Sequence, residues 1–110
     1  MTIELAHTFC IECAHSLPGL GVSTMHGHSY WVTVYVESSA ENPIPMDILT
    51  GYCAMLRCRL DHKNLNDVLP QPTMESIAKW VAENIQGPRP TRVRVSRPSI
   101  NVAATWNREG

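Results

Sequence analysis

Three histidines hold the spacing that could do the most chemistry. His26 and His28 flank Gly27, and residues two apart in a strand project to the same side, so both imidazoles can reach one ion. His15 closes an earlier β-prone stretch, and a hairpin would bring it against the other two to complete a three-nitrogen set. Three neutral imidazoles with one open position are what catalytic zinc uses, the ion polarising a carbonyl or hydroxyl. Spacing alone also allows three unrelated surface or capping histidines. Asp61-His62 is the second feature. An adjacent acid and imidazole can act as an oriented proton relay; the other reading is a helix C-terminus where His62 meets the dipole favourably. His7 is expected to be structural.

The four cysteines, at 10, 13, 53 and 58, do not make a zinc ribbon, because Cys53 and Cys58 are too widely spaced to match the Cys10-x-x-Cys13 pair. Nor is that pair a thioredoxin-type motif, since it lies inside a strand-like segment instead of opening a helix. Free thiols are expected. Cys13 shares the strand parity of His15, so its thiol either faces the cavity of the metal or is a small buried hydrophobe.

These residues need elements to hold them. Residues 3–15 mix apolar and β-prone types, and residues 29–36 alternate cleanly, with Tyr30, Val32, Val34 and Val36 on one face, which predicts two strands joined as a hairpin. Between Met46 and Leu60 the positions Ile48, Leu49, Tyr52, Leu56 and Leu60 recur at helical spacing. A second helix opens at Thr73, a good cap, with Glu75 in its first turn. Ile77, Trp80, Val81 and Ile85 form its stripe, and Gly87-Pro88 end it. Residues 91–97 and 101–106 read as strands. Two strands, two helices and two strands argue for an α+β fold, an antiparallel sheet with both helices on one face.

At 110 residues the chain suits one domain, and a chain this small buries under ~70% of its unfolded surface, which makes self-association a fair expectation. With 9 Lys+Arg against 10 Asp+Glu there is no field to attract nucleic acid or anionic lipid. No apolar run approaches the ~18 residues of a membrane span, and the first residues lack a basic stretch followed by an apolar one. A soluble, cytoplasmic chain is expected.

Ala14-His15-Ser16-Leu17, His26-Gly27-His28-Ser29-Tyr30, Met46-Asp47, Leu60-Asp61-His62 with Leu65-Asn66, and Pro72-Thr73-Met74-Glu75 with Ala78-Lys79-Trp80 together resemble the 6-pyruvoyltetrahydropterin synthase and 6-carboxytetrahydropterin synthase family. The resemblance spans nearly the whole chain. It implies the tunnelling fold, whose ββααββ protomers close their sheets into a β-barrel, as hexamers built from two trimers. It implies zinc on His15, His26 and His28, active sites between subunits, a relay from Asp61 and His62, and substrate contacts from the segment of Thr73 and Glu75. The substrate it implies is 7,8-dihydroneopterin triphosphate, from which triphosphate is eliminated. The carboxytetrahydropterin branch also releases acetaldehyde, on the route to queuosine.

Two positions depart from the family pattern. Where a catalytic cysteine usually precedes His-Gly-His, this chain reads Leu20-Gly21-Val22-Ser23-Thr24-Met25. It also lacks there the glutamate of relatives that use a retro-aldol route. Cys13, Ser23 and Thr24 are the remaining candidates. At the end of the third strand, where a glutamate usually grips the pterin edge, stands Arg97. A guanidinium has only donors and cannot pair with the two N–H donors of that edge. Arg97 has pocket-side parity, which calls for a partner such as Glu75, or for a substrate with a carboxylate or two ring carbonyls; a frayed strand end with Arg97 in solvent is the other reading. Three functions follow: a zinc-dependent lyase of this family acting on a pterin, a derived zinc enzyme with an anionic or dioxo heterocyclic substrate and no cysteine chemistry, and a non-catalytic binding module.

Overall fold

The computed structural model describes residues 2–109. β1 (Ile3–Leu17) and β2 (Val22–Ser38) form a long hairpin, and β3 (Pro90–Arg97) and β4 (Val102–Asn107) extend the sheet in the order β1-β2-β3-β4, antiparallel throughout. Between β2 and β3 the chain forms α1 (Met46–Leu60), which packs on β1, and α2 (Met74–Asn84), which packs on β3 and β4. This is the expected α+β order. No helix among the described residues is long and apolar enough to cross a membrane.

The hairpin turns through a 3-10 segment, Pro18–Leu20, and Gly21 at φ 77°. That left-handed conformation costs little without a Cβ. β2 begins seven residues earlier than the alternation suggests. Its first part, residues 22–25, is exposed, so no buried face imprints a period of two on the sequence, and pairing such as Leu17 with Val22 holds it extended.

One face of the sheet is the core. Phe9, Ile11, Tyr30, Val32, Val34, Val36, Val93 and Val95 are all buried beneath the helices, each side chain contributing about 1.5–3 kcal/mol. The other face is polar. Thr8 and Thr33 share a hydroxyl hydrogen bond of 2.8 Å, and Arg92 donates to both carboxylate oxygens of Glu4, at 2.9 and 3.2 Å.

The helices differ from expectation in detail. In α1 the buried stripe is Leu49, Cys53, Leu56 and Leu60, and Ile48 is exposed. Cys53 turns inward in its place, and burial pushes its thiol up to about 11. All four cysteines are free. In α2 Thr73 caps the helix, its hydroxyl oxygen accepting the Ser76 N–H at 3.1 Å. Ile77, Ala78 and Val81 are buried, while Trp80 and Ile85 are only partly so. The helix ends at Asn84, before Gly87, because Ile85 is extended and the Asn84 amide donates to the Trp80 carbonyl at 2.8 Å.

Gly87 has a different task. A Cβ there would collide with Cδ2 and Cε2 of the Tyr52 ring. Gly87→Ala is therefore expected to lower stability by about 1–3 kcal/mol, as overpacking does. In urea titrations the loss should be clearly smaller in a Tyr52→Ala background, where the ring is gone; equal losses in the two backgrounds would show that the collision is not the cause.

Candidate functional site

The register of the hairpin assembles the histidines. His15 lies directly opposite His26 and Cys13 opposite His28, so the three imidazoles share one face at one end of the hairpin. Their ring centroids stand 4.6, 4.6 and 5.0 Å apart, and one nitrogen from each falls within 4.8 Å of the others. The Nδ1 of His15 is 2.8 Å from the Pro72 carbonyl, and the Nδ1 of His26 is 2.8 Å from the Thr24 carbonyl. A carbonyl only accepts, so both Nδ1 atoms carry the hydrogen and both Nε2 atoms present lone pairs. These two Nε2 atoms face each other at 3.0 Å, which is unfavourable unless a cation or proton lies between them. Imidazoles oriented through their far nitrogen by carbonyls are a metal-ligand arrangement, so the donor set fits a metal ion. Burial favours the neutral form of His15 and His28, the form that ligation requires. Burial first, then Arg97 and the other two histidines, pushes His28 down to about 4, and burial lowers His15 as well.

The imidazoles line a cleft of about 390 Å³, joined there by Tyr30, Thr73, Glu75 and Arg97. The start of α2 is fastened to this cleft: Pro72 holds His15, Thr73 caps the helix, and Glu75 follows in the first turn. Arg97, at the end of β3, does face the cleft and is half-buried. Among the described residues no acidic group forms an ion pair with it, Glu75 included.

Asp61 and His62 stand elsewhere. Neither lines the cleft. They follow α1 along the outer edge of β1 and cap it there, the His62 N–H donating to the Glu12 carbonyl at 2.6 Å and the Ala14 N–H to the Lys63 carbonyl at 3.0 Å. Asp61 is fixed on three sides. Its Oδ1 accepts the Glu12 N–H at 2.8 Å, and its Oδ2 is 2.9 Å from Arg57 and 3.5 Å from the His62 Nε2. His62 has φ 58°, a left-handed value uncommon outside glycine, though histidine adopts it more readily than most residues. Its side chain is 79% exposed. Cys13 has the parity of His15 but lies in the core and does not line the cleft, and burial pushes its thiol up to about 12. Ser23 and Thr24 are exposed.

Comparison with known proteins agrees with this architecture. The profile of the 6-pyruvoyl tetrahydropterin synthase family matches residues 4–108. The chain belongs to that family. A curated relative, the dihydroneopterin monophosphate aldolase of Pyrococcus furiosus, is 29% identical over 102 residues, 91% of this chain and 90% of the relative. Among solved structures, Caenorhabditis elegans 6-pyruvoyl tetrahydropterin synthase superposes with a TM-score of 0.81 at 16% identity, covering 99% of this chain and 97% of that one. An uncharacterized Wolinella succinogenes protein gives a TM-score of 0.75 at 17% identity, covering 99% of each chain. The fold of this 6-pyruvoyl tetrahydropterin synthase family member is thus shared even where sequence is not.

Several residues around the site escape sequence reading. The carbonyls of Pro72 and Thr24 set the imidazole tautomers, and a backbone carbonyl has no residue signature. Arg57 does have one, standing four residues before Asp61 as helical ion-pair partners do. Asn66 pins the loop after α1 to β1, accepting from the Ser16 N–H at 2.8 Å and donating to its carbonyl at 3.0 Å.

A pH dependence follows. His28 titrates at its ordinary 6.5 when unfolded and at about 4 when folded, so between these values the unfolded chain binds more protons. Metal-free protein is expected to lose stability as pH falls from 6.5 towards 4 and to be level above 7 in this respect. Urea midpoints at pH 7.5 and 5.0 test it; the drop should shrink in His28→Gln, and an unchanged drop would assign it to other groups.

Proposed function

We propose that this chain is a zinc-dependent lyase acting on the side chain of a phosphorylated 7,8-dihydroneopterin, with aldol cleavage as its reaction. The observation that carries the reading is the pair of imidazoles whose Nδ1 atoms are committed to carbonyls while their Nε2 atoms converge with His28 in an open cleft. His15, His26 and His28 would hold the ion. When bound, zinc supplies Lewis acidity, favouring loss of a proton from a side-chain hydroxyl beside it.

Aldol cleavage asks little more of the protein. A base takes the proton of the second side-chain hydroxyl, the bond between the first two side-chain carbons breaks, and the electron pair moves into the ring imine. Protonation at the first carbon then leaves a hydroxymethyl pterin and a two-carbon aldehyde phosphate. This route needs no thiol, in keeping with a chain that has no cysteine between Leu20 and Met25 and keeps Cys13 buried and protonated; that stretch has no glutamate either, so the acid-base group falls to Asp61-His62. The name of the Pyrococcus furiosus relative supports the same choice. Triphosphate elimination from 7,8-dihydroneopterin triphosphate is the second reading, favoured by the family match itself.

Asp61 and His62 are the proposed proton relay, reaching the cleft from a second copy. They belong to the segment that caps the outer edge of β1 from Cys10 to Ser16, and the cleft adjoins a groove of about 490 Å³ between α2 and the outer strand β4, with Glu75 in both. The uncapped start of β1 and the outer edge of β4 are free to pair between copies, and on this reading such a contact would bring the relay of one protomer to the histidines of the next. Thr73 and Glu75 would face the substrate there.

Two measurements test this. Zinc-loaded protein given 7,8-dihydroneopterin monophosphate should release the aldehyde phosphate, seen by trapping and mass spectrometry; release of inorganic triphosphate from the triphosphate substrate alone would favour elimination, and no turnover of either would defeat the reading. His26→Ala and His62→Ala should each lower kcat by about 100-fold or more. Mixed after co-refolding, they should regain activity, because some interfaces then carry both intact halves. Failure to complement would place the relay within one chain.

A further inference from the structure

Arg97 stands between two cavities. With His28 it lines both the three-histidine cleft and a second cavity of about 360 Å³. The walls of the second include Gly27, Ser29 and Trp31, the residues of β2 with opposite parity to the histidines, and Ser99 from the 3-10 turn after β3. Arg97 therefore borders both sides at the end of the sheet. Among the described residues it has no acidic partner within ion-pair distance. The carboxylate in the second cavity's neighbourhood, Glu12, is already occupied by the Ser29 hydroxyl at 2.5 Å and the Cys10 thiol at 3.5 Å. Gly27 leaves the wall between the two ligand histidines without a side chain.

We propose that Arg97 is an oxyanion subsite, which takes the phosphate ester of a substrate whose hydroxyls lie at the three histidines and whose chain crosses the sheet end into the second cavity. This rests on the pterin reading above and adds the selectivity that reading lacks. A half-buried guanidinium with no internal counter-charge favours a doubly charged ligand oxygen cluster, to which it can donate two parallel hydrogen bonds. Glu75 takes the opposite role in the same cleft. It offers an acceptor to the N–H groups of the heterocycle, so donor and acceptor ends of the ligand are sorted between Glu75 and Arg97. Arg97 is thus a specificity residue, separating phosphorylated from unphosphorylated side chains.

The test is calorimetric, on zinc-loaded protein with the stable oxidised ligands neopterin and neopterin monophosphate. Wild-type protein should bind the monophosphate about 10- to 100-fold more tightly than neopterin, the range expected of a charge-assisted pair. Arg97→Gln should bring the two affinities together, and Arg97→Lys, which keeps the charge without the fork, should retain part of the preference. A preference that survives in Arg97→Gln, or none in wild type, overturns the subsite and leaves the pterin reading standing. If neither pterin binds, that reading fails, and inorganic phosphate with metal-free protein decides the subsite alone: binding lost in Arg97→Gln upholds it, and no binding overturns it.

Discussion

Antiparallel pairing of β1 with β2 places His15 opposite His26 and Cys13 opposite His28, and the three-histidine end of the molecule depends on that register. Side chains alternate along a strand, so a slip of one residue would turn His15 to the polar face while expelling Phe9 and Ile11 from the core. The hydrophobic pattern that stabilises the sheet therefore also aims the imidazoles. Gly21 protects the same register, because its left-handed turn sets where β2 begins.

Gathering three bases and a guanidinium in one cleft works against stability. The two Nε2 lone pairs at 3.0 Å repel, and Arg97 raises the potential around the rings. The fold tolerates this because the strain is local. The rings are held by carbonyls of segments with their own anchors: Pro72 next to the Thr73 cap, and Thr24 inside β2. Neither depends on the site for its conformation. A site preset by its surroundings loses little freedom when a ligand arrives.

How much of this was legible depended on whether a feature was local. The strand period gave the shared face of His26 and His28, and apolar alternation gave the core positions of β2 without error. The convergence of His15 was an expectation that only the register could fulfil, since the two partners are 11 residues apart. Adjacency marked Asp61-His62 but did not say where the pair points. That depends on backbone bonds to Glu12 and on a left-handed His62, which no pattern of residue types reveals. In α1 the stripe rotated towards Cys53, because a cysteine buries as readily as Ile48 and the sheet decides which one faces it. The pocket side of Arg97 followed from parity; its lack of an acidic partner did not, because Glu75 was an equally reasonable one.

The separation of Asp61-His62 from the cleft is also a consequence of the sheet. His15 projects from the face of β1 towards Pro72, whereas Asp61 bonds to the backbone edge of the same strand at Glu12. A strand presents its face and its edge at right angles, and Asp61 and His62, fixed to the edge, do not line the cleft that opens on the face. On the proposed reading a second copy, docked along the outer strand β4, brings its Asp61-His62 to the cleft. On the proposed reading, the edges that would be a liability in a monomer become the joint that completes the chemistry, and assembly and catalysis then share one constraint.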